Sequence, residues 1–355
     1  MRRTSRQPTL VPMFRIAACA LTVFFIACSA TPAAAPSATG TASPTVAAAS
    51  ASPTPSATAT STVAPTASST LIPLPSVAQL SVPSGAVVWV LVAGTRVFRS
   101  TDRGDTWQER SLPSRPANLA FIDDHEGWMD TAGSPATQCN GQRVAIWHTA
   151  DAGATWEQLS ATGIADGQCK GALAFTDVTH GFLGAYSTSD PPAVYRTADG
   201  GRTWTSSGPL ADPPGFTTRP GGFALAAGAV RGFGGTLLVE ASGNAGNETR
   251  HYVFRSRDGG ATWTYASTAP NAMDQISFVT ATRWLQIGAP GDSKETTDAG
   301  ASWHGFTTDY QQAAPIAPAI VFGDAQTGYA TVRGAIQRTT DGGVRWSQIR
   351  TPGTF

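Results

Sequence analysis

Six aspartates of this chain recur in one pattern, Ser/Thr-x-Asp-x-Gly-x-Thr/Ser-Trp, in which the last copy has Arg345 in place of the second hydroxyl. Carboxylates beside hydroxyls could serve catalysis or hold a turn. Asp-x-Gly favours the turn, because Asp hydrogen-bonds nearby backbone amides and Gly adopts positive φ. We therefore interpret these residues as structural: Asp102, Asp151, Asp199, Asp258, Asp298 and Asp341, with the closing Trp107, Trp156, Trp204, Trp263, Trp303 and Trp346.

The elements around the motif also repeat. Successive closing tryptophans lie 40 to 59 residues apart, a period typical of propellers and solenoids. Each unit reads as an apolar triplet (strand A), a Gly-aromatic pair (B), a run before the motif (C) and a run after its Trp (D). In the fourth unit, Phe223–Leu225 is assigned to A and Gly232-Phe233 to B. Four antiparallel strands per unit predict an all-β, six-bladed β-propeller, or seven blades if residues 71–80 or a loop hide another.

These motifs resemble the Asp-box, or bacterial neuraminidase repeat, in which the box is structural and lies away from the ligand face. Phe121-Ile-Asp123…Gly127-Trp128 and Phe175-Thr-Asp177…Gly181-Phe182 also resemble bacterial propellers of the photosystem II assembly-factor type. The resemblance covers roughly residues 80–350. It implies the architecture and does not specify a function.

The chain begins with a segment typical of export signals. Four arginines precede the apolar run Ile16–Ala27, which is too short to span a bilayer but suits a signal-peptide core. The run ends at Cys28 and resembles a lipobox, although Phe25 stands where Leu is usual. Residues 1–28 therefore predict a lipoprotein-type signal with lipidation at Cys28; ordinary secretion and an uncleaved anchor are the alternatives.

A tether and one large domain follow. Residues 29–76 are mainly Ala, Ser, Thr and Pro without a charge, which predicts a disordered linker. Residues 77–355 are assigned to the propeller. All 24 acidic residues and 20 of the 24 basic ones follow the signal, so the net charge there is −4. The basic residues are scattered, which argues against nucleic acid as a partner.

Strand alternation predicts where ligands bind. In an antiparallel meander, the A–B and boxed C–D turns share one face, and the longer B–C and D–A loops share the other. Binding residues tend to lie on variable loops held by a rigid scaffold. The candidates on that second face are Arg115, Arg143, Tyr186, Asp190, Arg219, Glu248, Arg250 and Tyr310.

The resemblance to sialidases implies an enzyme as the alternative. That family uses an arginine triad, a Tyr nucleophile backed by Glu, an Asp acid/base and an Arg-Ile-Pro motif before the first box. The domain has no Arg-Ile-Pro, and residues 77–95 contain no arginine. Asp-box xyloglucan hydrolases have two propellers, whereas the repeats of this chain predict a single propeller. The five histidines show no ligand spacing, so we expect neither metal nor cofactor.

Cys139 and Cys169 are the remaining cysteines beyond the signal. An exported domain with two cysteines favours a disulfide. Cys139 falls in the B–C loop of blade 2 and Cys169 in the D–A loop entering blade 3. Both loops should emerge next to each other on the same face, which predicts a bridge.

Taken together, these features predict an exported, lipid-anchored, monomeric propeller of a bacterium. It would act as a non-catalytic binding or assembly module for an envelope protein or glycan, touching the membrane through its lipid alone. A sialidase-like exo-glycoside hydrolase and a purely structural surface protein remain the alternatives.

Overall fold

The computed structural model describes residues 78–132, 142–187, 190–216, 225–245, 248–272, 274–288, 291–310, 319–332 and 335–349. The chain divides into two compact units, Met1–Thr60 and Ser61–Phe355, and all described residues belong to the second. Within these ranges no helix is long and apolar enough to cross a membrane. The predicted signal, the lipidation site Cys28 and the whole linker lie outside the described residues.

Across the described ranges, twenty-four strands form six four-stranded antiparallel sheets, which confirms the six-bladed propeller. Blade 1 contains β1 (Ala78–Ser81), β2 (Val88–Val92), β3 (Arg96–Ser100) and β4 (Gln108–Arg110). Blade 2 contains β5 (Asn118–Phe121), β6 (Gly127–Ala132), β7 (Val144–Thr149) and β8 (Glu157–Gln158). Blade 3 contains β9 (Cys169–Phe175), β10 (Gly181–Tyr186), β11 (Ala193–Thr197) and β12 (Thr205–Ser206).

Blade 4 contains β13 (Ala226–Phe233), β14 (Thr236–Ala245), β15 (Glu248–Ser256) and β16 (Thr264–Thr268). Blade 5 contains β17 (Ile276–Phe278), β18 (Trp284–Gln286), β19 (Lys294–Thr296) and β20 (His304–Gly305). Blade 6 contains β21 (Ile320–Phe322), β22 (Gly328–Val332), β23 (Ala335–Thr339) and β24 (Ser347–Ile349). The second strand of blade 1 is buried at all five positions because blades pack on both of its faces, whereas the outer strand β8 is exposed.

The ring closes by packing between its first and last blades, since each sheet is one continuous stretch of chain. One apolar cluster joins Val88, Val90 and Phe98 of blade 1 to Tyr329 and Ile349 of blade 6. The Nη1 group of Arg338 also donates to the backbone oxygen of Arg103 and to Asp105. Among the described strands, none is shared between these two blades, so the closure depends on side-chain contacts.

Aromatic stacking joins neighbouring blades. Trp89 of blade 1 stacks on Phe121 of blade 2 with ring centroids 3.6 Å apart, and Trp128 of blade 2 stacks on Phe175 of blade 3 at 3.8 Å. The box tryptophans of blades 2 and 3, Trp156 and Trp204, meet the same two phenylalanines edge-on. These contacts combine a large buried area with favourable ring geometry.

The predicted division into two faces is confirmed by backbone hydrogen bonds. In five blades an amide at the centre of the box turn donates to the A–B turn of the same blade, for example Arg103 to Ala86 and Ala152 to His125. We call this side the box face. The B–C and D–A connections emerge on the opposite side, which we call the loop face.

The strand assignment in blade 4 was wrong. Gly232-Phe233 ends strand A, β13, and does not begin strand B. A two-glycine turn at Gly234-Gly235 follows, and β14 starts at Thr236. Strands β14 and β15 pair from Leu237 opposite Ser256 to Ala245 opposite Glu248. The Gly-aromatic pair of this blade therefore lies on its first strand, one strand earlier than in the other units.

Candidate functional site

The six boxes are closed hydrogen-bonded turns. In the second box, Asp151 Oδ1 accepts from Thr149 Oγ1 (2.8 Å) and the Thr155 amide (2.8 Å), while Oδ2 accepts from Thr155 Oγ1 (2.6 Å). Thr149 Oγ1 also accepts from the Gly153 amide, and the box glycines have φ between 77° and 101°. Only Gly adopts such φ without strain. The carboxylate oxygens are committed to the turn.

The same hydrogen bonds control ionisation. Burial alone would raise the pKa of Asp199, but hydrogen bonds from Thr203 and Thr197 lower it to about 2. In the last box, Asp341 keeps the amide of Arg345 and lacks a hydroxyl donor at that position. Carboxylates held ionised within their own turns are suited to structure and poorly suited to general acid catalysis.

The predicted loop-face residues do not form one site. Arg143 pairs with Asp166 at 3.1 Å, and Arg250 pairs with Glu248 at 3.0 Å on strand β15 rather than in a loop. The amide of Asp190 donates to Ser187 Oγ, Arg115 is exposed, and Tyr186 ends β10. Arg219 lies outside the described residues. None of the described candidates lines the central cavity.

Tyr310 was wrongly assigned to the ligand face. Its side chain is 1% exposed and packs against Trp346, with ring centroids 5.3 Å apart. The preceding segment binds the last box, since Thr308 Oγ1 donates to the Gly343 backbone oxygen and the Trp346 amide donates to Asp309. Burial raises the pKa of the Tyr310 hydroxyl. The residue belongs to the packing between blades 5 and 6.

The loops proposed to carry the disulfide adjoin each other. Besides the Arg143–Asp166 pair, the Lys170 amide donates to Gln142 Oε1 at 3.0 Å. Cys169 is buried at the start of β9. Cys139 lies outside the described residues, so the bridge stays a prediction whose required loop arrangement is met.

A second candidate site is a central cavity of about 740 Å³. The inner strands of all six blades line it, so its wall is mainly backbone and small or apolar side chains. The lining comprises residues 79–83, 119–122, 172–176, 226, 228–233, 275–279 and 319–324, with Glu240, Ser242 and His251. Its volume lies in the range of about 300–1,000 Å³ that is usual for ligand sites.

Two charged features mark the ends of the cavity. Near the loop face, Glu240 hydrogen-bonds His251 Nδ1 and accepts from the Ile276 amide (3.2 Å), which links blades 4 and 5. His251 is 7% exposed. Towards the box face, Arg231 of β13 reaches the backbone oxygen of Phe322 in blade 6. Sequence reasoning missed all three, although a Glu within Thr236–Ala241 interrupts an otherwise apolar strand.

A buried polar cluster lies where blades 1, 2 and 3 meet. Asn118 Nδ2 donates to Asp130 Oδ2 (2.8 Å) and to the Gly171 backbone oxygen (3.2 Å), while Gln79 Nε2 donates to Asn118 Oδ1 (3.3 Å). Asp130 is 1% exposed, and its Oδ1 has no hydrogen-bond partner. Burial raises the pKa of Asp130 to about 7, against the lowering effect of the Asn118 hydrogen bonds.

Asp123, Asp124 and His125 form a group that could hold a metal ion by spacing alone. Asp123 Oδ1 accepts the amides of His125 and Glu126, and Asp124 pairs with Arg99 at 2.7 Å. The carboxylates of Asp123 and Asp124 are therefore explained by their hydrogen bonds and ion pair at an A–B turn.

The cavity lining lacks the sialidase constellation in the part of the chain that is described. It contains one arginine, Arg231, and no tyrosine. Glu240 is engaged as described above, and Asp324 Oδ1 accepts the amides of Gln326 and Thr327. An arginine triad with a Tyr–Glu pair is therefore not assembled by these residues.

A family model described as photosynthesis system II assembly factor YCF48 matches residues 76–215 and 246–352. The chain belongs to this family. The match takes in blades 1–3, blades 5 and 6, and the outer half of blade 4. Residues 216–245, which carry Arg231 and Glu240, lie outside it, so these two residues are not accounted for by the YCF48 family match. No curated protein matches the chain.

Solved structures share the propeller architecture. YCF48 bound to a D1 peptide is 17% identical, with 79% of this chain and 82% of that chain covered and a TM-score of 0.43. YCF48 from Cyanidioschyzon merolae is 18% identical, with 76% and 83% covered and a TM-score of 0.42. The Hadza microbial sialidase Hz136 is 15% identical, with 77% and 65% covered and a TM-score of 0.50. At these identities the similarity shows the fold alone.

Proposed function

We propose that this chain is an exported, lipid-anchored propeller that acts as a non-catalytic binding or assembly module for a protein of the bacterial envelope. The observation that carries the proposal is the central cavity, which offers a large concave surface whose described residues include no sialidase-type catalytic set. Membership of an assembly-factor family supports the same reading. The six stacked blades supply the rigid scaffold that a binding surface needs.

Photo-crosslinking from the cavity tests the binding role. A photoreactive residue replaces Ala229, which is exposed on the cavity wall, and in a control it replaces Val178, which is 54% exposed on the box face. In the native envelope we expect one discrete protein adduct from position 229 and none from position 178. Equal labelling from both positions would contradict a cavity site.

An activity assay tests the hydrolase alternative. Purified protein is incubated with fluorogenic sialosides and with xyloglucan, and product release is compared with that of the Glu240→Gln variant. We expect no turnover by either protein. Hydrolysis that disappears with Glu240→Gln would replace the binding proposal with an enzymatic one.

The anchor is proposed from the first 28 residues, where the apolar run ends at Cys28. The neutral linker of residues 29–76 would then tether the propeller to the membrane; as a flexible coil it spans about 40 Å. Cys28→Ser should release the protein into the medium, measured by fractionation and immunoblotting. A variant that stays membrane-bound and unprocessed would rule out the lipoprotein.

A further inference from the structure

Arg231 is an isolated cation on the wall of the central cavity. Its Nη2 group donates to the Phe322 backbone oxygen, so the side chain passes across the channel from blade 4 to blade 6. Burial lowers the pKa of Arg231, and no acidic group raises it in compensation. Arg231 is half-buried, and a charge withdrawn from bulk water without a counter-charge is costly. The folded protein therefore retains a positive charge that its own described residues do not neutralise.

The guanidinium also has unused hydrogen-bonding capacity. Arginine carries five N–H donors in a planar fork, and one hydrogen bond accounts for Nη2. None of the Arg231 nitrogens is among the buried atoms that lack a partner, so the remaining donors are open to the cavity.

Other polar groups of the wall are already occupied. Ser81 Oγ exchanges hydrogen bonds with the backbone of Phe121, and Ser277 Oγ donates to the Ile320 backbone oxygen. Glu240 and Asp324 each accept backbone amides. Among the described lining residues, Arg231 is thus the charged residue that still has N–H donors available to a ligand.

We propose that the central cavity is an oxyanion site, in which Arg231 binds a carboxylate or phosphate group of the ligand. The planar fork matches either group with two parallel N–H···O bonds, and such charge-assisted bonds are the stronger kind. The proposal goes beyond binding in general, because it assigns the chemical class of the ligand. It rests on residues outside the stretch matched by the family.

The test uses the full chain with acetate and inorganic phosphate as probes, against chloride at equal ionic strength. Thermal unfolding and isothermal titration report binding, since a ligand specific to the folded state raises the unfolding midpoint. We expect both probes to raise the midpoint of the wild type, and Arg231→Gln to weaken binding roughly tenfold or more. Arg202→Gln is the matched control, because Arg202 is exposed and pairs with Glu157 at 3.7 Å.

Two further variants keep the test decisive. Ala229→Glu places a competing carboxylate on the cavity wall and should abolish both responses, even if Arg231→Gln fails to fold. Arg231→Lys keeps the charge without the fork, so it should retain a weakened response to both probes, because an ammonium group pairs with either anion as a point charge.

The proposal is overturned if the wild type responds to neither probe beyond chloride. It is equally overturned if Arg231→Gln or Ala229→Glu keeps the wild-type response. The cross-link expected from position 229 does not depend on these results, so failure of the oxyanion site and failure of the binding module are distinguishable.

Discussion

Replacing Asp130 by Asn should stabilise the protein at alkaline pH. The carboxyl group of Asp130 is almost fully buried, accepts from Asn118 through Oδ2 and leaves Oδ1 without a partner. Burial raises its pKa to about 7 from the ordinary value of 3.8. An amide at this position is neutral at every pH and can still accept the Asn118 hydrogen bond.

The size of the effect follows from proton linkage. Between about pH 4 and pH 7 the unfolded chain has released the Asp130 proton while the folded protein retains it. The free energy of unfolding then falls by about 1.4 kcal/mol per pH unit as pH rises, and levels off above pH 7. The folded carboxyl group therefore costs about 4 kcal/mol at pH 8, of which about 3 kcal/mol develops between pH 5 and pH 8.

Urea unfolding of the wild type and Asp130→Asn at pH 5 and pH 8 measures this directly. We expect the variant's advantage to grow by about 3 kcal/mol between the two pH values. Asp166→Asn is the control, because Asp166 is 54% exposed beside Arg143 and should show no such growth. A difference between Asp130→Asn and wild type that is the same at both pH values would refute the reasoning.

Two other predictions concern the boxes and the cysteines. Asp199→Ala removes an acceptor of four hydrogen bonds, so the free energy of unfolding should fall by about 1–2 kcal/mol. The fall should be smaller for Asp341→Ala, because the last box has no hydroxyl donor at Arg345. Loss of cavity cross-linking at an unchanged melting temperature would contradict a structural role. Below pH 4 the contribution of Asp199 should fade as its carboxylate protonates towards pH 2. Thiol titration of the processed protein, denatured without reductant, should find no reactive thiol if Cys139 and Cys169 are bridged. The bridge should add about 3–4 kcal/mol to the free energy of unfolding. Two reactive thiols per chain would exclude the bridge.

The boxes were predictable from sequence because their interactions are local. Asp151 binds groups at most four residues away, and Gly153, two residues on, has the positive φ that the turn requires. Six such turns at a regular spacing leave few all-β architectures other than a propeller. Turn alternation then places the box face and the loop face opposite each other, and the amide of Arg103 bonded to Ala86 agrees with that placement.

The site depended on contacts between residues far apart in the chain. Arg231 meets Phe322 across 91 positions, and Glu240 meets the amide of Ile276 across 36, so no local pattern indicated either contact. Tyr310 looked like a loop residue until the packing of blade 6 enclosed it. Sequence by itself determined the repeat, its box turns and a propeller of six or seven blades, because these follow from interactions within a few residues. The structure decided on six blades. Only the tertiary structure decided which side chains face the channel, because that depends on how six separate sheets pack around one axis.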